Sequence, residues 1–173
     1  PDLVKEIFRR EVPEIASGAV EIKGIAREVG GRTKIAVSSK QSGVDPVGSC
    51  VGQKGVRVQA VISEIAEERV DVIQFSDDTP KFIAASLAPA KGVLVDIDKE
   101  TKVAVVTCPV DQLSLAIGRE GQNVRLAAKL TGWKIDIKGP RGSEVDVDAI
   151  AAGKLSENQN AVVSVEQADN VTS

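Results

Sequence analysis

The sequence predicts an α+β protein made of two αββααβ units in tandem, each with a three-stranded sheet covered by helices. A chain of 173 residues with 42% apolar content is long enough for two small domains. The same order of helix and strand patterns occurs twice. In addition, residues 49–64 (SCVGQKGVRVQAVISE) and 115–130 (LAIGREGQNVRLAAKL) each place a Gly-x-x-Gly (GxxG) segment between two helical patterns, 66 positions apart. We place the first unit at residues 1–77 and the second at 78–138.

The first unit begins with a helix and a hairpin. Apolar residues at helical spacing predict a helix over residues 2–11, which ends before Pro13. The alternating segment AVEIKGIARE and the β-branched segment TKIAVSS predict two strands. Gly30-Gly31 lies between them and is a turn signal, so the two strands are expected to form a hairpin.

The glycine segment of the first unit lies between two further helices. Asp45 followed by Pro46 predicts a helix start, with Asp45 as the N-cap, and this short helix is expected to run to Val51. The segment RVDVIQF then alternates as a strand does. The helix before this strand carries an apolar stripe formed by Val58, Val61, Ile62 and Ile65.

The second unit repeats this order. TPKFIAASLA predicts a helix with Thr79 as its cap, and GVLVDID and TKVAVVT predict strands. Asp111 is expected to cap QLSLAIG, while NVRLAAKL and WKIDIK complete the unit as helix and strand. Because almost no linker separates the two units, we expect them to share an interface and to move as one rigid body.

Composition excludes several classes of function. The chain has no histidine, and its two cysteines, Cys50 and Cys108, lack the CxxC spacing of zinc and redox sites. Both are predicted to be core residues, and we expect no metal, no cofactor and no enzymatic activity, since histidine is the commonest general base.

No apolar run reaches membrane length and no signal peptide is recognisable, which favours a cytoplasmic protein without a membrane partner. The absence of methionine and the start at Pro1 suggest a piece of a longer protein.

Charge is distributed unevenly along the chain. The net charge is −3, yet residues 1–138 carry 20 Lys and Arg against 19 Asp and Glu, whereas residues 139–173 carry 2 against 6. Residues 115–138 hold five basic and two acidic side chains. Because local fields steer a polyanion more than net charge does, the acidic total does not exclude a nucleic-acid partner.

The paired glycine segments are suited to binding an anion. A GxxG turn leaves the main chain uncovered by any Cβ, and the helix that follows offers unpaired N–H groups. Lys54 and Arg119 add positive charge at the two turns. A single GxxG is more often only a turn, but two copies in matching surroundings favour binding of a ribose-phosphate chain. A P-loop would need Gly-Lys-Ser/Thr, which is absent, so nucleotide hydrolysis is disfavoured. No small-molecule substrate is expected.

Two long segments carry a family resemblance. DPVGSCVGQKGVRVQAVISE (45–64) and DQLSLAIGREGQNVRLAAKLTGWKIDIK (111–138) resemble the two type II KH domains of the NusA family of bacterial transcription factors. The likeness covers residues 1–138. It implies a factor that modulates pausing, termination and antitermination by binding nascent single-stranded RNA. It also implies RNA polymerase and other Nus factors as partners, met through the longer protein.

The candidate RNA-binding residues come from two sources. The resemblance carries the family's RNA-contacting loops onto Gly52, Gln53, Lys54, Gly55, Gly118, Arg119, Glu120 and Gly121. The helices that follow add Arg57, Gln59, Gln122, Asn123, Arg125 and Lys129. Basic residues would neutralise phosphates, and the amides of Gln59, Gln122 and Asn123 would read base edges. For Arg57, Gln59 and Lys129 an ordinary exposed helix face is an equally good interpretation. Glu120 should repel phosphate, so it is expected to point outward or to meet a base.

Three further expectations complete the sequence-based picture. Aromatic residues make up only 2% of the chain and are predicted to be core residues, which separates a KH groove from modules that stack bases on exposed rings. Each GxxG loop should engage about four nucleotides, so two loops would span about eight or more. A protein-interaction scaffold without RNA contact is the alternative function. Residues 139–173 are predicted to form an acidic, weakly structured tail, either solvated or folded back as an RNA mimic.

Overall fold

The computed structural model describes residues 1–141, and predictions about residues 142–173, including most of the acidic tail, lie outside this part of the chain. The two units follow one another in the predicted order. The elements are α1 (Asp2–Glu11), α2 (Pro13–Ala16), β1 (Val20–Glu28), β2 (Arg32–Ser39), α3 (Pro46–Val51), α4 (Val56–Glu64), β3 (Arg69–Gln74), α5 (Thr79–Ser86), β4 (Leu94–Asp98), β5 (Val103–Thr107), α6 (Leu113–Ile117), α7 (Gln122–Thr131) and β6 (Lys134–Lys138).

Each unit contains one mixed three-stranded sheet. The strand orders are β1-β2-β3 and β4-β5-β6, with the first pair antiparallel and the second pair parallel in both sheets. Ile35 pairs with Ile25 on one side and Val72 on the other, and Ala104 pairs with Ile97 and Ile135. The predicted α+β class with two three-stranded sheets flanked by helices is confirmed.

Helix starts follow the predicted caps in one case and differ in two. Asp45 caps α3, since its Oδ1 accepts a hydrogen bond from the Val47 N–H at 3.1 Å. The prediction that Thr79 caps α5 is wrong, because the Asp78 carboxylate accepts from the Lys81 N–H at 3.3 Å. The predicted cap by Asp111 is also wrong, because residues 110–112 form a 3-10 turn and α6 begins only after it.

The sequence analysis also missed one helix. Pro13 ends α1 as expected, but it also opens the short helix α2 as its first residue. Proline fits this position because its missing N–H would have no partner in the first turn of a helix. Helix α2 brings Glu14 beside α4, and this contact bears on the first GxxG loop.

The hydrophobic cores lie between each sheet and its helices. In the first unit, Val4 and Phe8 of α1 pack against Ile35 and Val37 of β2. Cys50 and Cys108 are both fully buried, as predicted, and burial raises the pKa of the Cys50 thiol to about 12. Their burial indicates that both cysteines pack in the core.

The four aromatic residues pack into or against the cores. Phe8 and Phe82 are buried, while Phe75 and Trp133 are partly buried against apolar clusters. The rings of Phe75 and Phe82 meet edge to face with centroids 5.0 Å apart. Phe75 belongs to the first unit and Phe82 to the second, so this aromatic pair lies at the junction.

The junction between the units has an apolar centre. Ala36 and Ile73, on the face of the first sheet opposite its own helices, pack with Phe82 and Leu130 of the second unit. A Cβ on Gly24 would lie 3.3 Å from Leu130 Cδ1, which shows how closely α7 approaches strand β1. The expected shared interface is therefore present, while motion of the two units as a rigid body stays a prediction.

A buried charge network stands beside this apolar centre. Lys34 is fully buried, and its Nζ donates to Asp71 Oδ2 at 2.9 Å and to the Ala88 carbonyl of the second unit at 2.9 Å. Arg32 donates to both oxygens of Asp71, at 2.7 and 3.0 Å. Burial lowers the pKa of Lys34, and the neighbouring carboxylate of Asp71 opposes this shift. Asp71 thus balances two cations at the junction.

A second buried carboxylate fixes the turn between β1 and β2. Glu68 accepts two hydrogen bonds from Arg27, one from the Gly30 N–H at 2.9 Å and one from the Thr33 hydroxyl at 3.1 Å. These hydrogen bonds lower the pKa of Glu68 to about 2, and the bond from Arg27 makes the largest contribution. The turn is therefore held in one position, and with it Glu28, the last residue of β1.

Two findings concern membranes and metals. Within residues 1–141, no helix combines the length and the apolar character needed to cross a membrane. In the same part of the chain, no group of three or more His, Cys, Asp or Glu side chains could hold a metal ion.

Candidate nucleic-acid interface

The two GxxG loops have the same backbone conformation. The first glycine of the first loop, Gly52, has a φ of 74° and a ψ of 172°. In the second loop, Gly118 has a φ of 76° and a ψ of 168°. At the third position of the loop, Lys54 has a φ of 53° and a ψ of 24°. Glu120, at the same position of the second loop, has a φ of 54° and a ψ of 27°. The sequence repeat of 66 positions is therefore also a repeat of local structure.

The last glycine of each loop closes the turn. Gly55 and Gly121 are left-handed, and the N–H of each donates to the carbonyl of the loop's first glycine at 3.1 Å. Helices α4 and α7 start at the next residue, and neither has a side-chain hydrogen bond at its N-cap. The first N–H groups of the two helices, those of Val56 and Gln122, donate to the carbonyls of Gln53 and Arg119. The uncovered turn and the positive end of the helix dipole beside it therefore provide the attraction for a phosphate group.

The first glycines are needed for the loop itself. Their φ and ψ lie in a region that is open almost only to glycine. A Cβ on Gly118 would lie 2.6 Å from Asn123 Cβ and 2.8 Å from the Asn123 nitrogen, and one on Gly52 would lie 2.8 Å from Arg57 Cγ. Substitution of these glycines would disturb the fold, so the binding role of the loops is better tested at the residues between the glycines.

The side chains between the glycines face solvent. Gln53, Lys54, Arg119 and Glu120 are all exposed. Lys54 and Arg119 are thus free to approach a phosphate at the uncovered turns. Glu120 is also exposed, so both predicted roles, an outward orientation and contact with a base, stay open.

Arg57 has a different environment from the predicted one. Its guanidinium donates to Glu14 Oε2 at 2.9 Å and to the Ser49 carbonyl at 2.6 Å, and its side chain is one-third exposed. Because its charge is already paired with Glu14, the structure favours a supporting role, and phosphate contact by Arg57 stays a prediction. Arg57 instead ties α4 to α2 and α3 and supports the first loop from below Gly52.

Asn123 is fully buried, which rules out the predicted contact of its amide with base edges. Its Nδ2 donates to the carbonyls of Leu87, Leu115 and Ala116 at 3.0 to 3.1 Å. Asn123 lies 66 positions after Arg57, and both residues bind a carbonyl of the helix before their loop. They are corresponding supports of the two loops, and this role could have been inferred from their matching positions in the repeat.

Three further candidates converge on one carboxylate of the first unit. Arg125 donates to Glu28 through Nε at 2.6 Å and Nη2 at 3.2 Å, and Gln122 Nε2 donates at 3.0 Å. Lys129 Nζ lies 3.8 Å from Glu28 Oε1. The hydrogen bond from Arg125 is the main cause that lowers the pKa of Glu28 to about 2. Gln122, Arg125 and Lys129 therefore belong to the junction between the units, although Arg125 and Lys129 stay about half exposed.

Sequence reasoning missed Glu28 and two apolar residues near the loops. Glu28 precedes the predicted Gly30-Gly31 turn, but no spacing rule connects it with a helix nearly 100 residues later. Val56 and Leu115 are 66% and 44% exposed next to the loops, where aliphatic side chains can contact bases. Gln59 is also exposed on α4 and stays a candidate contact.

An open cleft lies beside the first loop. It has a volume of about 740 Å³, and Gly48, Gly52, Gln53 and Val56 are among the residues that line it. The small residues on α3 leave room beside the uncovered turn. The cleft therefore offers space next to the positions where the loop could hold a phosphate.

Comparison with known proteins identifies the family. The profile of the NusA-like first KH domain matches residues 1–75, and that of the NusA-like second KH domain matches residues 79–145. The chain belongs to the NusA family. Among its NusA relatives, the protein of Bacillus subtilis is 54% identical over 138 residues, which are 80% of this chain and 37% of that protein. The protein of Halalkalibacterium halodurans is 46% identical over 169 residues, 98% of this chain and 44% of that protein.

The matched relatives are longer than this chain, and one solved structure is similar in fold. Both NusA relatives are named transcription termination/antitermination protein, and the chain spans less than half of their length. The crystal structure of APE1850 is similar with a TM-score of 0.50 and 21% identity, over 78% of this chain and 95% of that one. At this identity the likeness supports the fold alone.

Proposed function

We propose that this chain is the RNA-binding part of a NusA-type transcription elongation factor and that its paired GxxG loops bind single-stranded RNA. The observation that carries the proposal is the pair of uncovered turns with the same backbone, each followed by an uncapped helix start. Lys54 and Arg119 supply exposed positive charge at these turns. RNA bound in this way would allow the factor to modulate pausing, termination and antitermination.

Binding at each loop follows from electrostatics and from access. A phosphate can approach the bare main chain of each turn, where the positive end of the α4 or α7 dipole attracts it. The exposed cation in each loop stabilises the same phosphate or its neighbour. Because a duplex keeps its bases stacked and paired, while a KH loop holds an extended backbone with splayed bases, single-stranded RNA is the better fit.

Bases would contact the surface beside the loops. Val56 and Leu115 supply exposed aliphatic area, and Gln53 and Gln59 supply exposed amides. This arrangement supports some sequence preference. The two loops together would hold a strand of about eight nucleotides or more.

The wider role rests on the family. We propose that RNA polymerase and other Nus factors are met through the longer protein and that the site of action is the cytoplasm. A binding role without catalysis fits the relatives, whose names denote transcription factors.

Salt dependence tests the RNA proposal. Affinity for a single-stranded RNA of about 12 nucleotides, measured by fluorescence anisotropy, is expected to fall with salt at a log-log slope of about −0.7 per phosphate neutralised. With Lys54 and Arg119 as the main contacts, and Arg125 and Lys129 half exposed nearby, we expect a total slope of about −1.5 to −3. Affinity that stayed constant from about 50 to about 200 mM salt would contradict the proposal. Salt-tolerant binding to a polypeptide instead of RNA would favour the scaffold alternative.

A further inference from the structure

We infer that the second GxxG loop is a composite site, in which Glu28 of the first unit positions the loop of the second unit for RNA through Arg125. This inference rests on the proposed function. It makes Glu28 a positioning residue for RNA binding, although its side chain lies outside both loops.

A short chain of hydrogen bonds connects Glu28 with the second loop. Glu28 accepts from Arg125 Nε at 2.6 Å, and Arg125 Nη1 donates to the Glu120 carbonyl inside the loop at 3.3 Å. Glu28 also accepts from Gln122, the first residue after the loop, at 3.0 Å. One carboxylate of the first unit therefore holds both the arginine that binds the loop and the residue that follows it.

The hydrogen bond from Arg125 to the Glu120 carbonyl stabilises the backbone of the second loop. Glu120 has a φ of 54°, a left-handed conformation that costs a residue with a side chain about 1 kcal/mol. A hydrogen bond to its carbonyl stabilises this conformation, and the ion pair with Glu28 keeps the Arg125 guanidinium in place to donate it. Arg125 would otherwise be a flexible side chain on the surface of α7.

The first loop is supported in another way. The residues 66 positions before Gln122 and Arg125 are Val56 and Gln59, and both are exposed. Its support comes from Arg57 and Glu14, which belong to the same unit. Each loop therefore has a support inside its own unit, Arg57 or Asn123, and the second loop has an additional support from the first unit, Glu28.

Glu28 itself is well placed for this role. It ends β1, next to the turn that Glu68 fixes through Arg27 and Gly30. A pKa of about 2 keeps its carboxylate ionised at neutral pH. The position of the first sheet is thus transmitted to the second loop through a single charged group.

A double-mutant cycle on the full chain tests the inference. Glu28→Ala is expected to weaken binding of the 12-nucleotide RNA about fivefold, because a partly exposed charged hydrogen bond that supports the loop is lost. Glu28→Ala should have little further effect on RNA affinity in an Arg125→Ala background, where the support of the loop is already lost. The same is expected in an Arg119→Asp/Glu120→Asp background, where the second loop itself is impaired. Glu28→Ala should keep its effect in the Gln53→Asp/Lys54→Asp background, where only the first loop is impaired.

Glu21→Ala is the matched control. Glu21 lies near the opposite end of the same strand and is also ion-paired, but with Lys23 and Lys40 instead of Arg125. It should leave RNA affinity within about twofold of the parent, as expected for a surface pair. Glu28→Gln, which keeps the shape and an acceptor oxygen, serves as the second variant if Glu28→Ala lowers stability, and it should lose less affinity.

An RNA-independent readout separates this inference from the proposed function. In NMR spectra of the protein alone, Glu28→Ala should shift the amide signals of Glu120 and Gly121, whereas Glu21→Ala should not. Unchanged loop signals, or an equal loss of affinity in all loop backgrounds, would overturn the inference. If the unsubstituted protein bound no RNA, the proposed function would fail, while the amide shifts would still decide the role of Glu28.

Discussion

Replacement of Asp71 with alanine is expected to lower the free energy of unfolding by about 3 kcal/mol, because it removes one partner of a buried charge network. Lys34 is fully buried, and within residues 1–141 its ammonium group would keep only the Ala88 carbonyl as a hydrogen-bond acceptor. Arg32 would lose both of its bonds to the carboxylate. An unpaired buried charge costs far more than the loss of a surface pair.

Asp136→Ala provides the comparison for this prediction. Asp136 lies in the middle of β6, the corresponding edge strand of the second sheet, but its side chain is 43% exposed and 3.9 Å from its partner Lys134. Its loss should change the free energy of unfolding by less than about 0.5 kcal/mol. Both variants are measured by urea denaturation monitored with circular dichroism. Equal effects of the two substitutions would show that the network at the junction does not stabilise the fold as described.

Reversal of charge in both loops is expected to weaken single-stranded RNA binding about 100-fold, which corresponds to about 2.8 kcal/mol. The variant is Lys54→Asp/Arg119→Asp. Each change removes an exposed cation from an uncovered turn and places a carboxylate where a phosphate should lie. Aspartate tolerates the left-handed conformation at Lys54 better than most residues do, so the loop should keep its shape.

The control for this variant carries the same change in net charge. Lys99 and Lys102 are exposed in the turn between β4 and β5, and Lys102 also has a positive φ, of 54°. Lys99→Asp/Lys102→Asp should weaken binding only severalfold, through the general field of the protein. If the two double variants lost affinity equally, total charge rather than the loops would explain RNA binding.

Local signals allowed much of the fold to be predicted from the sequence. Asp45-Pro46 gave the start of α3 because both the cap and the proline act within one turn of the helix. The Gly30-Gly31 turn and the alternation around it gave the first hairpin. The repeated GxxG segments located both loops, since their backbone requires glycine whatever surrounds them.

Competition between neighbouring signals explains the misplaced caps. Asp78 and Thr79 both accept hydrogen bonds well at a helix start, and the structure selects Asp78, whose carboxylate reaches the Lys81 N–H. Asp111 lies inside a 3-10 turn that precedes α6, so its position relative to the helix could not be read from spacing. A helix boundary of this kind is decided by a difference of a single residue in the position of the cap.

The partners of the charged candidates were beyond sequence reasoning for a different reason. Arg57 pairs with Glu14, 43 residues earlier, and Arg125 pairs with Glu28, 97 residues earlier. Such contacts depend on how elements pack and leave no periodic trace in the chain. Basic residues near a GxxG loop therefore divided into two groups, with Lys54 and Arg119 exposed in the loops and Arg57 and Arg125 paired with carboxylates beside them.

If the two GxxG loops hold the backbone of single-stranded RNA, an NMR titration of the protein with such an RNA should show it most directly. The largest amide shifts are predicted at residues 52–57 and 118–123, the two loops and the helix starts that follow them. Shifts confined to other surfaces, with both loops unchanged at saturating RNA, would contradict the claim.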